Sequence, residues 1–220
     1  MLTKQENIVF VKKIMTELIF NSAYIEGCRV TLEETQTIIE ESGTSTSDLE
    51  SIMVVLSLKD AWSFVLENLD KAISPDLVEQ LWGYVANGGF IGRDKNKLAI
   101  SRSIEIVKES YGAQTLTELV IDYFIMCLKE DVFGIDTINV SLLLVNRVLI
   151  KNGLGVLSIT PELYQEIKDN KNNVIKVKEV LYRGVKTKEY YNNMLKYKTW
   201  KTISREFVGR IYNNNHFINK

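Results

Sequence analysis

Apolar residues recurring at spacings of three and four, each run closed by a capping signal, constrain this chain more than any other feature. Ile8, Val11, Ile14, Met15, Leu18 and Ile19 lay one apolar stripe along a helix expected over residues 4–20. Gly27 stops it, because glycine accepts the left-handed conformation at a helix end. Thr31 ahead of Leu32-Glu33-Glu34 offers a hydroxyl and two carboxylates for a new start, and that helix runs to about 42. The polar loop SGTSTSD follows, with Ser47 or Asp48 as cap for a long helix over 49–69. Ser74 and Pro75 begin the next, which ends near Asn87-Gly88-Gly89. Further helices are expected at 115–129, at 137–152 with Gly153 closing it, from Pro161 onward, and at 174–182 and 186–212.

Residues 88–112 break this pattern. Ile104 and Ile106 alternate with Glu105 and lead into Val107, the best strand candidate in the chain and one arm of an expected hairpin. The fold class is therefore mainly α, a helical bundle with one small β-hairpin and extra C-terminal helices.

With 45% hydrophobic and 25% charged residues, the 220-residue chain can bury one sizeable core and has the balance of a soluble protein. No apolar run approaches spanning length and the N-terminus carries no signal core, so no membrane partner and a cytoplasmic location are expected. Cys28 and Cys127 lack metal-ligand spacing and read as thiols in a reducing compartment. The net charge of −1 hides an asymmetry: residues 168–220 hold 13 Lys/Arg against 4 Asp/Glu, and the rest hold 14 against 24. An acidic body with a basic end can pack against itself, bind an acidic partner, or touch nucleic acid.

Three stretches together resemble the Fic family, helical proteins that mostly transfer AMP from ATP onto protein hydroxyls. Ser22-Ala-Tyr-Ile-Glu26-Gly27 is similar to that family's inhibitory-helix pattern, [ST]-x-x-x-[EN]-G, and TLEET follows it. The 90–108 region falls where the family places a hairpin flap that docks the target peptide, which implies a binding role for Arg102, Ile104 and Ile106. LLLVNRVLIKNGLGVLSI, residues 142–159, is similar to the helix after the active-site loop, most of all in bacterial members. The resemblance covers roughly residues 5–165, so a Fic-like core at 1–165 and a basic helical extension at 166–220 are expected.

The family signature, H-x-F-x-[DE]-G-N-[GK]-R, falls by ungapped counting on residues 131–139. Phe133 matches, as a core anchor for the loop. Asp131 stands at the histidine, Ile135 at the acid, Asp136 and Thr137 at the Gly-Asn pair, and Asn139 at the arginine. The family's histidine is the general base, and an ordinary aspartate with a pKa of about 3.9 is a poor substitute. The single histidine, His216, lies in a polar tail. Asp136 sets negative charge where phosphates would sit, although Thr137 can still cap the following helix. The second signature arginine falls on Leu142, so Glu26 is expected to have lost its inhibitory partner, leaving Ser22, Glu26 and Gly27 as helix-end structure.

The resemblance thus implies a pseudoenzyme that binds a protein partner, with no cofactor and no metal. Two other readings stay open. One is a nucleotidyl or phosphoryl transferase using ATP and Mg²⁺ at a site rearranged around Asp131 and Asp136. The other is a nucleic-acid-binding regulator, since Lys176, Lys178, Arg183, Lys186 and their successors to Arg210 interleave with Tyr182, Tyr190, Trp200 and Phe207. The competing expectation for that segment is an amphipathic helix pair, its aromatics on the body and its lysines in water.

Overall fold

The computed structural model describes residues 1–41, 48–86, 100–102, 115–187, 189–190 and 192. Local capping chemistry builds its helices. Thr3 opens α1 (Lys4–Lys13) and Thr31 opens α3 (Leu32–Glu40), each with a reciprocal capping box, to Glu6 and Glu34 respectively. Asp48 accepts from the Ser51 N–H at the start of α4 (Leu49–Glu67), and Ser74 with Pro75 starts α5 (Pro75–Val85). Thr115 caps α6 (Leu116–Glu130), and Thr160 with Pro161 starts α8 (Pro161–Asp169). Asn173 caps α9 (Val174–Gly184).

Two expected elements differ. The first helix is broken: α1 ends at Ile14, whose N–H is shared between the Phe10 and Val11 carbonyls, and α2 (Met15–Ile25) begins afresh. Ile14 stays buried, so the break redirects the stripe without losing core. The helix expected from 186 does not start there. Val185–Lys186 form a short strand, β2, antiparallel to β1 (Val156–Leu157), with Val156 opposite Lys186. Of the hairpin expected at 90–108, only residues 100–102 are described, and they are helical; Ile104 and Ile106 lie outside the described residues, as do His216 and most of 188–212.

At the centre runs α7 (Thr137–Lys151), buried on nearly every side and packed by α1, α2, α4, α5, α6 and β1. A helix apolar all round belongs inside a bundle, and two of its buried polar residues, Asn146 and Arg147, bind backbone. Arg147, 3% exposed, donates to the carbonyls of Asn68 and Lys71, beyond the end of α4, where a cation also suits the helix dipole. Just beyond it, at the C-terminus of α7, the Asn7 amide donates to the carbonyls of Leu149, Ile150 and Gly155, and the Leu2 N–H to that of Gly153. The N-terminal segment thereby satisfies carbonyls that a helix C-terminus leaves orphaned. Cys127 is buried on α6, where desolvation pushes its thiol up to about 11 and keeps it protonated.

Among the described residues beyond 165, part of the basic charge is paired with acids. Lys178 bridges Glu118 and Asp122 at 3.1 and 2.8 Å, Arg183 pairs with Glu166, and Lys186 pairs with Glu17. Lys186 also lies 4.8 Å over the Tyr190 ring, which stands 6.1 Å from Phe10. Such partly exposed pairs are worth only about 0.2–1 kcal/mol each, and they answer part of the charge asymmetry. Among the described residues no helix is long and apolar enough to cross a membrane.

Candidate functional site

The loop between α6 and α7, residues 131–136, meets the C-terminal end of α2. Asp131 ends α6 in the left-handed conformation (φ 49°), tolerated by aspartate better than by most residues. A 3₁₀ turn over Gly134–Asp136 then leads into α7. Inside this loop Thr137 is a hub, its Oγ1 accepting from the Phe133 N–H at 2.9 Å and donating to Asp131 Oδ1 at 3.2 Å. Phe133 is buried and meets Trp82 of α5 edge to face, ring centroids 5.1 Å apart. The Trp82 indole N–H in turn donates to Asp136 Oδ2 at 2.8 Å. Asp136, only 4% exposed, makes no side-chain cap for α7, because its carboxylate is held sideways by the indole.

On the α2 side, Glu26 and Gly27 finish the helix. The Gly27 N–H reaches the Tyr24 carbonyl and the Cys28 N–H reaches that of Ala23, a Schellman closure with Gly27 at φ 87°. That closure aims Glu26 at the first turn of α7. Asn139 Nδ2 donates to Glu26 Oε1 at 2.5 Å and to the Ser22 carbonyl at 3.1 Å. Leu142 is core, as its apolar side chain dictates, and Glu26 is instead engaged by Asn139, the residue at the signature's arginine position. Asn139 Oδ1 itself is buried with no partner.

Burial shapes the electrostatics. Desolvation raises the Glu26 carboxyl above its ordinary range, the Asn139 hydrogen bond opposes this, and the charge of Asp136 adds to the rise. Desolvation likewise raises Asp136, opposed by the Trp82 hydrogen bond. Tyr164 is raised by burial, by Glu26 and by Tyr24, whose ring meets it edge-on at 6.2 Å. Among the described residues no Lys or Arg forms an ion pair with Glu26 or Asp136. Two desolvated carboxylates flank the start of α7, and among the described residues no cation pairs with them, a set that opposes a triphosphate. Asp131 and Asp136 are bonded to Thr137 and Trp82, and no group of three or more metal-ligating side chains is assembled among the described residues.

A charge that the fold disfavours makes stability depend on pH. With the folded Glu26 pKa above its ordinary value, the native state binds more protons than the unfolded chain between those two values. Stability therefore falls as pH rises through that window. Glu26→Gln keeps an acceptor for Asn139 and removes the charge. Its Tm is expected to rise by about 2 °C at pH 7.5 and to change little at pH 4. Parallel calorimetric melts across that range check this, and identical pH slopes for the two proteins would refute it.

Of the expected flap residues only Arg102 is described. It clamps Glu130 at the end of α6 through two hydrogen bonds of 2.6 Å, beside the loop. Sequence reasoning missed Trp82, Tyr24 and Tyr164. A buried tryptophan needs a hydrogen-bond partner and Asp136 needs a donor, but nothing local pairs positions 54 residues apart. No protein-family model matches the chain, and comparison with the curated proteins yields no match.

Proposed function

We propose that the chain is a Fic-like scaffold without adenylyl transfer, acting by binding a protein partner at the surface around loop 131–136. One observation carries this reading: the end of the loop and the first turn of α7 turn Asp136, Thr137 and Asn139 inward and leave an apolar residue outward, beside the exposed Asp131. Asp136, Thr137 and Asn139 are buried and bonded to Trp82, to the Asp131 carboxylate and to Glu26, whereas Ile135 at the tip is 93% exposed. A phosphate cradle needs the opposite arrangement, with free N–H groups and cations facing solvent. A rigid loop presenting an isoleucine suits a protein contact, where a buried apolar anchor supplies most of the affinity.

Titration calorimetry with MgATP tests the reading, on the wild type and on Glu26→Gly, which frees Asn139. No heat is expected from either protein. Micromolar binding, strengthened by the glycine, would overturn the proposal in favour of the ATP- and Mg²⁺-dependent transferase. A photo-crosslinking amino acid at position 135 is expected to give a discrete protein adduct in the host cell.

A further inference from the structure

A concavity lies where α6, the first turn of α7 and the α8–α9 turn converge. Its volume is about 350 Å³, within the range of small-ligand sites. Ile125 and Leu128 of α6, Ile138 of α7, Ile167 of α8 and Val177 of α9 form its floor. Val174 and three exposed residues, Lys129, Lys168 and Lys171, complete the lining. This distribution of charge is unlike that of the neighbouring surface. Lys178 and Arg183 nearby are matched by acids, whereas no carboxylate lies within ion-pair distance of these three lysines among the described residues. Lys168 is instead held with its ammonium 4.5 Å over the Tyr164 ring.

We propose that this groove binds a single-chain amphiphile with an anionic head, a medium-chain fatty carboxylate, its alkyl tail on the aliphatic floor and its head among Lys129, Lys168 and Lys171. Size and charge both select this occupant. The volume suits one alkyl chain and is small for the face of an amphipathic helix. Three unmatched ammonium groups complement one carboxylate and repel a cationic amphiphile. The floor residues come from four helices already packed around the core, so the site is preformed and its occupation orders no new chain. The inference does not depend on what loop 131–136 does.

The test is calorimetric titration of the full chain with decanoate, below its micellar concentration, alongside decyltrimethylammonium and decanol. Decanoate is expected to bind, the cation not at all, and decanol about tenfold more weakly. Shortening the tail to octanoate is expected to weaken binding by roughly fourfold per methylene removed. Affinity should fall as ionic strength rises. Lys168→Gln and Lys171→Gln are each expected to lose several-fold in affinity, and Val174→Phe, which fills a half-buried part of the lining, to abolish binding while keeping the wild-type melting temperature. Equal affinity for the anionic and cationic decyl compounds, undiminished binding by folded Val174→Phe, or no binding of decanoate would each overturn the proposal.

Discussion

Replacing Gly155 by alanine is expected to cost the protein about 3 kcal/mol or more, lowering Tm by roughly 6–12 °C for a chain of this size. Two independent penalties meet at this position. The backbone sits at φ 92°, which an L-residue with a Cβ adopts only under strain. A Cβ there would also lie 2.1 Å from the Lys186 carbonyl oxygen and 3.1 Å from the Thr187 Cα. Both are backbone atoms, so no side-chain rotation relieves the contact, and β2 must move. Movement would break the pairing of Val156 with Lys186 and strain the Lys186 link to Glu17. The Asn7 amide, which donates to the Gly155 carbonyl at 3.0 Å, would be disturbed with them. Thermal melts report the global loss, and limited proteolysis beyond Gly184 should quicken as the strand detaches. A variant as stable and as resistant as the wild type would mean that β2 does not lie against Gly155.

What could be read in advance follows from the range of the forces involved. The starts at Thr31, Ser74 and Asp48 were legible because a cap and the N–H it satisfies lie within three residues. Gly27 and Gly153 were legible as stops for the same reason. The break at Ile14 was not, since its apolar spacing continues unbroken and only packing selects the shared hydrogen bond. Strands β1 and β2, two residues each, carry no periodicity to detect. At the loop, Asp131, Phe133, Asp136, Thr137 and Asn139 were found by alignment to a signature, and their bonding partners were not. Trp82 and Glu26 reach that loop across 54 and 113 positions, and such pairings are set by how the helices stack. The charge asymmetry was legible as a number; its resolution into Lys178, Arg183 and Lys186 pairs required the fold.

The same distinction explains the stretch 142–159, and an Asn146 series tests it. Asn146 is fully buried on α7 and clasps β1 from both sides, Nδ2 donating to the Leu157 carbonyl at 2.8 Å and Oδ1 accepting from the Leu157 N–H at 2.7 Å. Asn146→Leu would leave a buried donor and a buried acceptor unsatisfied, at a cost of about 4 kcal/mol, and Tm is expected to fall by roughly 8–16 °C. Asn146→Asp separates the two hydrogen bonds. The ionised carboxylate still accepts from the Leu157 N–H but faces the Leu157 carbonyl without a proton, whereas the protonated acid can serve both. Burial and that carbonyl raise the folded pKa above the usual value of about 3.9. The native state then binds the extra proton, so the variant's stability is greatest at low pH and is lost as pH rises through that window. Melts at pH 4 and pH 7.5 should show the aspartate variant nearer the wild type at the lower pH, and the leucine variant equally damaged at both. An aspartate variant as stable as the wild type at pH 7.5, or no recovery at pH 4, would mean that the clasp does not hold β1. If both variants behave as expected, the asparagine and glycine in NRVLIKNGLG are accounted for by strand docking, independently of any chemistry at loop 131–136.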